Sequence, residues 1–103
     1  MLTKTPGALL VPPIAQRDPK AIELARIWAA EGGQHVSLRP DAWEDPAAWG
    51  ILLVDLAKHV ANALHEQLGR DRAETLQRIR AGFEAEWGHA TDEPKGGFVD
   101  PGA

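Results

Sequence analysis

The chain has 103 residues, 11 Lys plus Arg against 15 Asp plus Glu, and a net charge of −4 at pH 7, so it holds one domain. An acidic balance argues against a general nucleic-acid binder, whose affinity comes from cations neutralising phosphates. The absence of cysteine removes disulfides, thiolate metal sites and thiol nucleophiles together, and a cytoplasmic location is expected.

Seventeen alanines fill space without burying much area, so the stock of bulky core residues is modest. With no apolar run of membrane-spanning length evident in the sequence, a soluble domain with no membrane partner is expected. Residues 1 to 20 carry Pro6, Pro12, Pro13 and Pro19 and no helical or alternating period, which reads as an extended N-terminal arm. Its Leu9-Leu10-Val11 patch is apolar enough to lie on another surface.

Residues 21 to 88 form the expected domain. Between 21 and 39 two readings compete. Asp18-Pro19 resembles a helix start, and Ala21, Leu24, Ala25 and Trp28 recur at helical spacing. Against this, His35 to Arg39 alternates as a strand, and a lone strand leaves its ladder hydrogen bonds unmade. A two-residue turn at Glu31-Gly32 or Gly32-Gly33 pairs it with Glu23 to Ala30. The hairpin, at about residues 22 to 39, is preferred because it segregates the faces. Ala25, Ile27, Ala29, Val36 and Leu38 then share one side; Leu24, Arg26, Trp28, His35, Ser37 and Arg39 share the other.

Asp45 as cap, Pro46 in the first turn and Gly69 beyond the end predict a helix at about 46 to 68. Trp49, Leu52, Leu53, Leu56, Ala57, Val60, Ala63 and Leu64 form a broad stripe. Asp71 and Glu74 then make a capping-box pattern for a second helix at about 72 to 87, with a narrower stripe of Leu76, Ile79, Phe83 and Trp87. The short link makes the helices antiparallel neighbours. Residues 89 to 103 are rich in Gly and Pro and are expected to be a flexible tail. The predicted class is α+β: a β-hairpin packed on an antiparallel helix pair, with flexible termini.

A two-stranded hairpin is marginal alone, and one helix pair covers only one of its faces. The bulky residues Ile27, Val36, Leu38, Trp49, Leu52, Leu53, Leu56, Val60, Leu64, Leu76, Ile79, Phe83 and Trp87 make a thin core for a monomer. A homodimer is therefore expected, with Trp28 at the seam; the alternative is a monomer whose N-terminal arm covers the spare apolar surface. Arg26, Trp28, His35, Arg39 and Trp43 are candidates for binding an anionic or planar ligand, since Arg offers a fork of donors and Trp a stacking face. The plainer reading keeps Trp49 in the core and Trp43 over the helix start. Asp55 and His59, four apart on the first helix, could ligate a metal with His35, or form an ordinary surface pair. Neither HExxH nor a phosphate-binding glycine pattern is present, and no cofactor is implied. The function expected is a non-enzymatic homodimeric module binding a small molecule or a protein; the alternative is a small metal-dependent enzyme using Asp55, His59 and His35.

The run His35-Val36-Ser37-Leu38-Arg39-Pro40, then Trp43-Glu44-Asp45-Pro46-Ala47-Ala48-Trp49-Gly50 and Asp55-Leu56-Ala57-Lys58-His59-Val60-Ala61-Asn62-Ala63, resembles a small family of bacterial proteins, mainly alphaproteobacterial, classed as a domain of unknown function. The resemblance spans about residues 20 to 65. It implies one short domain with a strand-like segment at Ala21 to Ala30, and it transfers no activity or site residues.

Overall fold

A computed structural model describes residues 7 to 88 and the backbone of Phe98–Val99. The arm begins with one short helix, α1 (Pro13–Arg17), where a wholly extended segment was expected. Pro13 suits its first position, lacking the N–H that a helix start leaves unpaired. The turn is closed by Ala15 and Gln16 N–H donating to the Pro12 carbonyl, at 3.0 and 3.2 Å. Beyond it, Asp18 does not start a helix; its Oδ1 accepts from the Lys20 N–H at 2.8 Å, a tight polar turn.

Of the two readings for residues 21 to 39, the structure has the hairpin. Strands β1 (Ala25–Ala30) and β2 (Gly33–Leu38) pair antiparallel, with Ala30 opposite Gly33 and Ile27 opposite Val36. The turn is Glu31-Gly32, at φ 50° and 74°. Two successive residues of positive φ match the right-handed twist of the strands. This register puts Ala25, Ile27, Ala29, Val36 and Leu38 on one face, and Trp28 opposite His35 and Arg26 opposite Ser37 on the other. The ladder runs one pair further, Arg39 N–H donating to the Leu24 carbonyl at 2.9 Å. A two-residue strand, β3 (Phe98–Val99), lies parallel to β2 at Val36 and Ser37. The expected flexible tail otherwise lies outside the described residues.

Helix α2 (Ala47–Leu68) starts where Asp45 Oδ1 accepts from Ala47 N–H at 2.9 Å. It ends at Gly69, φ 70°, whose N–H donates to the His65 carbonyl at 2.9 Å. Only glycine takes that left-handed conformation at little cost. Helix α3 (Arg72–Gly88) is capped by Asp71, whose Oδ1 accepts from Glu74 N–H at 2.8 Å. The helices meet on small residues: Ala61 and Thr75 are buried, and the Thr75 hydroxyl donates to the Asp71 carbonyl at 2.7 Å. Arg72 Nε reaches across to Asn62 Oδ1 at 3.0 Å.

The α+β class is as read from the sequence, but the packing within one chain is not. No Cα of the hairpin strands comes within 8 Å of a Cα of α2 or α3, so the hairpin does not lie on its own helix pair. The expected core is correspondingly open. Ile27, Leu53, Leu56, Val60, Phe83 and Trp87 are exposed, and the other seven bulky candidates are half-buried. Each half has formed its secondary structure and left an apolar face without cover.

Candidate functional site

Two surfaces carry what chemistry the described residues offer. The first is the mixed face of the hairpin. Because side chains alternate along a strand, the pairing gathers Leu24, Arg26 and Trp28 from one side with Arg39, Ser37 and His35 from the other. At its open end lies a pocket of about 160 Å³ lined by Glu23, Leu24, Ala25, Arg26, Ser37, Leu38 and Arg39. Arg26 Nε is 2.8 Å from Glu23 Oε2, an ion pair with both side chains more than half exposed, which contributes at most about 1 kcal/mol. Arg39 Nε donates to the Glu23 backbone carbonyl at 3.0 Å. That bond fixes the guanidinium while leaving its terminal nitrogens without a carboxylate among the described residues. Among the described residues, the pocket therefore offers one positioned cation without a carboxylate partner, beside the Ser37 hydroxyl.

Of the five expected ligand residues, the hairpin brings Arg26, Trp28, His35 and Arg39 to one face, and Arg26 and Arg39 line the pocket. Trp28 and His35 pair farther along the strands, towards the turn, where His35 Nε2 donates to the Ala30 carbonyl at 3.2 Å. Trp43 does not join them. Its ring meets Trp49 edge-on, with centroids 5.2 Å apart and planes at 80°, as expected of a residue closing over the helix start.

The second surface is α2. At 100° per residue, α3 covers the flank of the stripe at Ala57, Ala61 and Leu64, leaving its centre open. Leu53, Leu56 and Val60 are 49%, 43% and 41% exposed. Sequence reading placed all three in the core and passed over Ala61; the small residues Ala57 and Ala61 were the signal for where a second helix approaches. At the far end of α3, Phe83 and Trp87 stack with centroids 5.5 Å apart yet remain exposed.

The metal alternative fares differently. Asp55 and His59 are exposed on α2 and make no ion pair among the described residues, and His35 stands on the hairpin. Among the described residues no three His, Asp or Glu gather into a group able to hold a metal. The combination of Asp55, His59 and His35 is thus not assembled within the chain. All the acidic, basic and histidine side chains of the described residues are exposed. By length and composition α2 is long and apolar enough to cross a membrane, with a mean hydropathy of 1.2 over 18 residues, a property not picked out from the sequence.

A family model for "Domain of unknown function (DUF5076)" matches residues 8–91. Among solved structures the chain is similar to one described as "Structure of a putative pyruvate dehydrogenase from the photosynthetic bacterium Rhodopseudomonas palustrus CGA009". The two are 34% identical with a TM-score of 0.70, over 90% of this chain and 95% of the other. No curated protein matches the chain.

Proposed function

The chain belongs to the DUF5076 family of domains of unknown function, and within that family we propose that it is a non-enzymatic, homodimeric binding module for small carboxylates. The open centre of the α2 stripe carries the dimer. Three adjacent large aliphatic side chains, each over two-fifths exposed on a rigid helix, form the middle of an apolar surface that a monomer leaves in water. The Arg39 pocket supplies the binding. A guanidinium forks onto a carboxylate through two parallel hydrogen bonds, and about 160 Å³ suits a molecule of a few heavy atoms. The name of the structural neighbour makes pyruvate the first carboxylate to try.

Catalysis of an oxidative decarboxylation is the less supported reading. Proton transfer at neutral pH needs a group whose acidity is tuned by burial or close charges, and here every titratable side chain of the described residues stands in solvent. A bilayer is also a poor occupant for α2. Asp55 and Lys58 fall mid-helix, and each charge at a membrane centre costs about 2.5–3.5 kcal/mol. The reading that remains is a module that works in water.

The test is a titration of isotopically labelled protein with pyruvate and with acetate, followed by amide resonances. Shifts confined to Arg26, Ser37 and Arg39 are expected, lost on Arg39→Ala. Unmoved resonances at millimolar ligand, or shifts that survive Arg39→Ala, contradict the site.

A further inference from the structure

We propose that the dimer is built by exchange: the hairpin of each copy lays its Ala25, Ile27 and Ala29 face on the α2 stripe of the other. This rests on the homodimeric reading above and specifies which surfaces meet. Two faces of the chain lie uncovered. The hairpin's apolar face, 59% exposed at Ile27, and the centre of the α2 stripe, 43% exposed at Leu56, belong to one chain yet leave each other open, with no Cα of β1 or β2 within 8 Å of a Cα of α2.

The link between them is not slack. Arg39 is tied to Leu24, Ala42 N–H donates to the Arg39 carbonyl at 3.2 Å, and Trp43 is seated on Trp49. These contacts order the link from the hairpin's open end to the start of α2. A second copy provides each face with what it lacks. Six strand residues span about 20 Å, and the stripe from Trp49 to Leu64 about 22 Å, so the lengths match. Neither face has a charge at its centre, and the alanines on either side of Ile27 leave hollows that leucines fill.

Coverage supports the same occupant. A helix-to-helix dimer would cover α2 and leave Ile27 in water, whereas exchange covers both faces at once and closes under twofold symmetry. It also leaves the mixed face, with Trp28 and the Arg39 pocket, turned outward.

The natural chain has no cysteine, so introduced thiols are the only ones that react. Chains carrying Ile27→Cys alone and Leu56→Cys alone are mixed, allowed to exchange and treated with a short bismaleimide; Ala29→Cys with Leu53→Cys serves as a second pair. The result expected is a hairpin-to-helix product several-fold above either self-linked product. A dimer linking only Leu56→Cys to Leu56→Cys overturns the exchange and leaves the homodimer standing. A chain carrying both thiols that closes on itself without pairing overturns it too. No linked product, at a single-chain mass, overturns the exchange and the homodimer together.

Discussion

Leu56 is the position at which the account is most exposed to failure. It sits at the centre of the α2 stripe, 43% exposed in the single chain. Complete burial of a leucine contributes about 1.5–3 kcal/mol, so covering what is still open contributes about 1 kcal/mol. A twofold interface counts it twice, giving about 2 kcal/mol, or roughly 30-fold in the dimer Kd, as the loss on Leu56→Ala. Leu56→Asp adds a carboxylate driven into an apolar contact, a penalty of several kcal/mol more, and should leave single chains at micromolar concentration. The charge reversal Lys58→Asp, on the opposite side of the same helix, controls for helix effects and should leave the mass unchanged. Light scattering reads the mass, and circular dichroism confirms that α2 persists, since α3 packs elsewhere on it. A Leu56→Asp protein that keeps the wild-type dimer mass refutes the reasoning.

Three further outcomes test local structure. Glu31 holds φ 50° in the hairpin turn, a conformation that asparagine tolerates better; Glu31→Asn should raise stability by about 0.5–1 kcal/mol in denaturant unfolding, and a loss would contradict the turn. Asp71→Ala removes the acceptor for Glu74 N–H and should cost about 1 kcal/mol by the same assay. His59→Ala and Asp55→Ala should leave stability within about 0.5 kcal/mol, with or without added zinc, and zinc-dependent stabilisation lost in either variant would restore the metal reading.

The local elements were legible because local chemistry fixes them. Asp45, Gly69 and Asp71 mark helix ends through hydrogen bonds spanning a few residues, and the Glu31-Gly32 turn sets a register that sorts the hairpin's faces. Where those faces go was less legible. Apolar periodicity shows that Ile27, Leu53, Leu56 and Val60 seek cover but is silent on whether the cover comes from the same chain, and all four stand open here. The site divides along the same line. Four of the five expected ligand residues share a face because strand alternation dictates it, while Trp43 was assigned to them by residue type and pairs with Trp49 instead. The short helix α1 was hidden because a single proline-led turn has no period to detect, and the pairing of Phe98–Val99 with β2 depends on contact between distant parts of the chain.

The central claim is that this fold is completed by a second copy, and sedimentation equilibrium of the unmodified protein across the micromolar range tests it most directly. The account predicts twice the 11.2 kDa chain mass throughout. A mass of one chain at every concentration, with the protein folded, would contradict it.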